Sequence, residues 1–192
     1  MTALPASVAD LSGVAVVATG AAPGHLEVAT SGGARIVDTW TVLEGRAEVG
    51  KRVLVVDETG MRPGFSVAEY LATRGHAVEL VTPAVYPGQG IEPHGWRMTY
   101  QRLLELGVRF RPLTAVAHVD GERVTVKHVF TNARDTIQGV EAVVAAMAPR
   151  ASDALFHALQ DQVEQLHLIG DAVAPRGIEE AVYEGQKVGR EI

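Results

Sequence analysis

Short runs of β-branched and aliphatic residues, each stopped by glycine or proline, recur along the chain and set its predicted elements. Val14-Ala-Val-Val17 runs into Gly20, which predicts a buried strand with a loop at its carboxyl end. Residues 22–50 are glycine-rich and aperiodic apart from an apolar stretch at Ile36 to Val42. They read as a connection, with paired strands as the alternative. Arg52-Val-Leu-Val-Val-Asp57 is the clearest strand, and it leads into a turn built on Gly60 and Gly64. Phe65, Ala68, Leu71 and Ala72 then share one helical face, closed by Gly75. His76 to Thr82 is the next strand, stopped by Pro83, so residues 52–82 predict a right-handed βαβ unit.

Thr82 to Gly95 holds three prolines and three glycines, the composition of a loop. A short amphipathic helix is predicted from Met98 to Leu106, ended by Gly107 and followed by a strand at Val108 to Phe110. Ala115 to Val119 and Val124 to Phe130, joined through Asp120-Gly121, predict an antiparallel hairpin. An apolar strand follows at Val140 to Met147, then a helix at Asp153 to Gln160. The last strand is Leu166 to Asp171 and the last helix Ile178 to Ile192. This alternation predicts an α/β fold with a mostly parallel sheet and one antiparallel hairpin.

Composition narrows the function classes. A formal charge of −6, with no lysine or arginine run longer than two, argues against nucleic-acid and anionic-membrane partners. There are no cysteines, which removes thiolate nucleophiles, cysteine zinc sites and any iron–sulfur cluster held by this chain alone. The apolar runs are shorter than the ~18–20 residues of a membrane span, and residues 1–12 show no secretory signal pattern, so a cytoplasmic location is expected. The histidines, at 25, 76, 94, 118, 128, 157 and 167, show no metal spacing, so no metal site is expected. No nucleophile elbow or paired-carboxylate signature appears, and no catalytic residue is assigned. Trp40 and Trp96 read as packing or interface residues.

Three features come in the order and spacing of two-dinucleotide-domain flavoproteins. They are Ala18-Thr19-Gly20 after a buried strand, the βαβ unit at 52–82, and Ile169-Gly170-Asp171 ahead of the final helix. The chain resembles that superfamily, which includes glutathione-reductase-like enzymes and inserts a nicotinamide domain into a flavin domain. Val55-Val-Asp-Glu-Thr-Gly60, Val81-Thr-Pro83 and Gly170-Asp-Ala-Val-Ala-Pro-Arg176 point more closely to one group. They resemble the C-terminal region of the old-yellow-enzyme-fused flavin oxidoreductases: trimethylamine dehydrogenase, histamine dehydrogenase and 2,4-dienoyl-CoA reductase relatives. The likeness runs from Gly13 to Ile192. It implies an NAD(P)-binding-like Rossmann domain at 48–150, inserted in a partial second Rossmann-like flavin domain formed by 13–47 and 151–192.

The resemblance also implies site residues. In those flavoproteins the aspartate corresponding to Asp171 accepts a hydrogen bond from the ribityl or ribose chain, and the next helix points its N-terminus at the cofactor. An N-cap for the last helix is the structural alternative for Asp171. Gly170 precedes it, Gly20 allows close approach of a cofactor or simply turns the chain, and Arg176 suits a phosphate or a surface ion pair. Together Gly20, Gly170, Asp171 and Arg176 are the candidate residues for an FAD or ADP site. The turn at 57–64 departs from the dinucleotide pattern. Asp57 and Glu58 stand where phosphates would approach, Pro63 removes a donor, and Thr82 replaces the acidic residue that reads ribose hydroxyls. NAD(P) is therefore not expected to bind.

No G-x-G-x-x-G unit precedes Gly13, and the barrel and cysteine cluster of the resembled enzymes have no counterpart in the sequence. The expected role is a nucleotide-binding domain or small subunit of a flavin-dependent, electron-transferring oxidoreductase, inactive alone. Met1-Thr2-Ala3 reads as a natural start, which favours the subunit. The expected partner is a larger flavoprotein chain carrying the FMN barrel, the iron–sulfur cluster and the first flavin-binding motif. The alternative is a non-catalytic interaction module with a degenerate Rossmann fold, which would close its sheet edge with its own residues 1–12.

Overall fold

The computed structural model describes residues 13–192. It opens with strands β1 (Val14–Val17), β2 (Ala21–Ala22), β3 (Ala29–Ser31) and β4 (Ile36–Asp38), then helix α1 (Thr39–Leu43). Next come β5 (Arg52–Asp57), α2 (Arg62–Thr73), β6 (Ala77–Val81), α3 (Pro93–Glu105) and β7 (Arg109–Arg111). Strands β8 (Thr114–Asp120), β9 (Arg123–His128), β10 (Arg134–Ile137) and β11 (Ala142–Ala146) follow. The last elements are β12 (Arg150–Ala151), α4 (Ala154–Leu159), β13 (Gln165–Leu168), a 3₁₀ turn at Gly170–Ala172, and α5 (Ile178–Glu191).

The chain divides into an inner unit, Pro23–Ala148, and an outer unit made of the residues up to Ala22 together with Pro149–Ile192. The inner unit holds a parallel five-stranded sheet in the order β4-β11-β5-β6-β7. Strand β5 forms because four consecutive aliphatic residues, Val53 to Val56, can be buried on both faces of a central strand. On one face Val53, Val55 and Leu80 pack with Phe65, Ala68 and Leu71 of α2 and with Leu103 of α3. On the other, Leu54, Val56, Val81 and Val143 meet Val116, Val119, Val124 and Val126. Each such side chain contributes about 1.5–3 kcal/mol by leaving water.

Those four valines belong to a second sheet, ordered β10-β9-β8-β3, in which β8, β9 and β10 run antiparallel and β3 joins parallel to β8. Alternation explains β9: Val124 and Val126 are buried between less buried Arg123, Thr125 and Lys127. The α/β class, with mostly parallel pairing and an antiparallel hairpin at 114–128, agrees with the sequence expectation.

Several local expectations need correction. Residues 23–47, read as part of the outer unit, supply β3 and β4 to the inner sheets, because Ala29–Ser31 and Ile36–Asp38 find partner strands there. The apolar stretch Ile36 to Val42 is a strand and then a helix. Asp38 ends the strand and caps α1, accepting from the Thr41 amide at 2.9 Å and its hydroxyl at 2.6 Å. Helix α3 starts at Pro93 and not Met98; Glu92 accepts from the amides of His94 (2.8 Å) and Gly95 (2.6 Å), and proline suits the first turn. The hairpin is a three-stranded meander, since Asn132 (φ 58°) turns the chain into β10. The last strand ends at Leu168, not Asp171, because Gly170 adopts φ +66°.

In the outer unit β1 pairs in parallel with β13, Val14 opposite Gln165 and Val17 opposite Leu168. The short strand β2 pairs antiparallel with β12. Val17 is buried, whereas Val14 (45%) and Val16 (41%) remain exposed. The proposed role of residues 1–12 in closing this edge lies outside the described residues.

Candidate nucleotide-binding site

Parallel pairing of β1 and β13 brings both carboxyl ends to the same side of the outer unit. There the chain turns twice on glycine: Gly20 at φ +72° and Gly170 at φ +66°. A Cβ at Gly20 would meet nothing within 4 Å, and one at Gly170 only the Cβ of Ala181, at 3.8 Å. Both glycines thus leave backbone open to close approach. Gly20, Gly170, Asp171 and Arg176, the four residues singled out in the sequence, line one cleft of about 460 Å³. The structure brings all four together.

Asp171 does not cap the last helix. It sits in the 3₁₀ turn, and its Oδ1 accepts the backbone N–H of Arg176 at 3.2 Å. The cap of α5 is Gly177, whose N–H donates to the Glu180 carboxylate at 3.0 Å. Arg176 is held on two donors. Its Nε donates to the Ala174 carbonyl at 3.0 Å and its Nη2 to Glu184 Oε1 at 2.5 Å. The other oxygen of Glu184 accepts the Gly170 N–H at 2.6 Å. The Arg176 guanidinium first, and the Gly170 amide second, hold the Glu184 carboxyl below the usual carboxylate range. Glu184 was not singled out in the sequence. It arrives from the middle of α5, and only the folded loop at 170–177 brings it to Gly170.

Chemically, the cleft offers an acceptor for sugar hydroxyls in Asp171, a cation for phosphate in Arg176, and two glycines that admit a ligand to the backbone. These residues suit a nucleotide or the ribityl phosphate of a flavin. They supply no nucleophile and no general base aligned on a second group.

The turn after β5 is built differently. Asp57 is fully buried, and its Oδ1 accepts the Thr59 amide (3.1 Å), the Thr59 hydroxyl (3.0 Å) and the Gly60 amide (2.9 Å). Its Oδ2 is buried with no hydrogen-bond partner. Burial raises the Asp57 pKa above the ordinary carboxylate value, against the opposing turn hydrogen bonds. Asp57 is therefore not a surface charge facing a ligand, as the sequence reading had it. It is an internal acceptor that satisfies the amides a phosphate would otherwise use, while Glu58 is exposed. Gly90 donates to the Gly60 carbonyl at 2.9 Å, so the loop after β6 lies on the same turn. Thr82 is fully buried, and its hydroxyl accepts the Ala84 amide at 3.3 Å.

A serine–histidine–aspartate cluster occurs elsewhere on the inner unit. Ser31 Oγ donates to Asp120 at 2.6 Å and lies 3.0 Å from His118 Nε2. With the serine O–H directed at the aspartate, the histidine is left to donate to Ser31, which is the wrong order for activating a nucleophile. Among the described residues no group of three or more histidines and carboxylates could hold a metal ion. No helix there is long and apolar enough to cross a membrane.

No protein-family model matches the chain. It is 29% identical to an N,N-dimethylglycine/sarcosine dehydrogenase of Chromohalobacter salexigens, over 95% of this chain and 32% of that protein. It is 26% identical to a dimethylamine dehydrogenase of Hyphomicrobium sp., over 79% of this chain and 24% of that protein. The structure of histamine dehydrogenase from Rhizobium sp. 4-9 superposes with a TM-score of 0.86, at 26% identity, covering 94% of this chain and 30% of that one. Thioredoxin reductase of T. acidophilum shares the fold, with a TM-score of 0.65 at 16% identity. The chain spans roughly a third of the length of the first two curated relatives it matches. Its homologues are thus trimethylamine-, dimethylamine- and histamine-dehydrogenase-like flavoenzymes, and the likeness falls on their C-terminal region, as the motifs implied.

Proposed function

We propose that the outer unit supplies one half of an FAD or ADP site of a flavin-dependent oxidoreductase. The observation that carries this reading is the convergence of Gly20, Gly170, Asp171 and Arg176 on one cleft at the carboxyl ends of two parallel strands. A mononucleotide cleft at such strand ends is the usual place for a ligand in an open α/β sheet. Asp171 would accept from ribose or ribityl hydroxyls, and Arg176 would face the phosphate. The bound flavin would supply electron transfer; this chain's residues would hold and orient the nucleotide.

Two strands make a small sheet, and Val14 and Val16 leave an apolar edge on it. The other half of the site would be a glycine-rich βαβ unit, from another chain or another part of the same protein. A larger flavoprotein chain with an FMN barrel and an iron–sulfur cluster fits that role by analogy with the resembled enzymes. The inner unit, with Asp57 occupying its own turn amides, would bind no NAD(P) and serve as a scaffold. That same observation is what favours the second reading, a non-catalytic interaction module.

The test is nucleotide content of the assembled flavoprotein. Asp171→Ala and Arg176→Ala are expected to lower the FAD or ADP released on denaturation to well below one per chain. Full retention by both variants would contradict the assignment.

A further inference from the structure

We infer that Glu184 is the positioning residue of this cleft, fixing the Arg176 charge and the Gly170 turn relative to Asp171. The inference rests on the nucleotide reading of the site. One carboxylate spans the loop: Oε1 takes the Arg176 Nη2 at 2.5 Å and Oε2 takes the Gly170 N–H at 2.6 Å. Gly170 adjoins Asp171, and Arg176 returns its own backbone N–H to Asp171 at 3.2 Å. The acceptor for hydroxyls and the cation for phosphate are thus tied into one closed ring of hydrogen bonds. The Ala174 carbonyl holds the Nε edge of the same guanidinium, at 3.0 Å. That leaves Nη1 with no protein partner among the described residues, directed by a fork whose other edge is fixed.

Glu184 also has an opposing effect. Its negative charge lies beside the guanidinium and weakens the attraction of any incoming phosphate. Position and charge therefore act in opposite senses, and substitutions separate them. Glu184→Gln keeps an acceptor for Arg176 or for the Gly170 amide and removes the charge. Glu184→Ala removes the charge and the brace together, leaving the Gly170 N–H unpaired and the arginine free to swing away.

The experiment titrates ADP at low salt by calorimetry into the assembled flavoprotein freed of nucleotide, with amide hydrogen exchange followed by mass spectrometry on the peptide that carries Gly170. Glu184→Gln, whose single carbonyl can serve the Gly170 amide but not Arg176 as well, is expected to keep Gly170 protected and to bind ADP about threefold to tenfold more tightly than Glu184→Ala. Glu184→Ala is expected to bind about tenfold more weakly than the unmodified protein and to lose that protection. Tightening by both substitutions would reduce Glu184 to a charge and overturn the positioning role. ADP binding that is abolished by Asp171→Ala but unchanged in both Glu184 variants would overturn this inference and leave the nucleotide reading standing. Failure of every form to bind ADP would overturn both. Should Glu184→Ala not fold, Glu184→Asp takes its place, since the shorter side chain cannot reach both partners and is expected to weaken binding.

Discussion

The Asp57 carboxylate lies against the backbone of Gly64: a Cβ placed on that glycine would stand 2.6 Å from Asp57 Cγ. Gly64 is in the first turn of α2, where alanine would normally gain about 0.5–1 kcal/mol over glycine. Overpacking against a buried carboxylate held by three turn hydrogen bonds costs about 1–3 kcal/mol, and it wins. Gly64→Ala is expected to lower stability by about 1–2 kcal/mol, read from the urea midpoint. Gly185, inside α5, meets nothing within 4 Å, so Gly185→Ala is the control and should stabilise its helix by about 0.5–1 kcal/mol.

Acid response should carry the signature of Asp57. Its folded pKa lies above the unfolded value because burial disfavours the charged form. The folded state then binds more protons than the unfolded state between those two values, so stability from this group falls as pH rises through that window. The contribution is fully present below the unfolded value and constant above the folded one. Asp57→Asn is expected to remove this slope from urea midpoints measured across the acid range. An unchanged slope would show that Asp57 is not the buried group responsible.

Much of the scaffold could be read directly from residues. Strand β5 was bounded at Arg52 and Asp57, because four aliphatic residues between charged ones admit only a strand buried on both faces. The meander's first turn was legible for another reason: Asp120-Gly121 supplies the positive φ a tight hairpin needs, and Gly121 adopts φ +55°. Helix α1 was not: Thr39, Thr41 and Val42 are β-branched, and only the Asp38 cap and packing make five residues helical. Strand β10 was missed because Arg134, Asp135 and Thr136 are exposed and lack an apolar alternation. In the site, Gly20, Gly170, Asp171 and Arg176 sit in short motifs, whereas Glu184 enters only through tertiary geometry. Asp57 was visible, but its direction was not, since a carboxylate at a turn reads as exposed until its amide partners are seen.

Nucleotide selectivity follows from the two turns. NADH and NADPH titrated into the chain should show no dissociation constant tighter than about 10 µM, roughly −7 kcal/mol, because the Thr59 and Gly60 amides are satisfied by Asp57. Binding at or below that concentration by calorimetry, undiminished in Asp171→Ala, would show that the inner turn opens for phosphate.

The apolar edge predicts a large interface. Val16 is 41% exposed on β1, and Tyr183 on α5 is 68% exposed. If a partner unit extends the β1–β13 pair, the join should exceed the ~1,600 Å² of a standard complex. Val16→Lys should then leave the melting of the isolated chain within about 0.5 kcal/mol of the parent and block assembly. Assembly that survives Val16→Lys would place the interface elsewhere.

The central claim is that Gly20, Gly170, Asp171 and Arg176 form half of a flavin-nucleotide site. The most direct measurement is purification of this polypeptide from its native source, with an absorption spectrum and the intact mass of everything that carries its sequence. The account predicts a yellow preparation in which this sequence accompanies, or continues into, a larger flavin-bearing polypeptide. A colourless, stable monomer of 20.4 kDa, with Asp171→Ala indistinguishable from the parent, would contradict it.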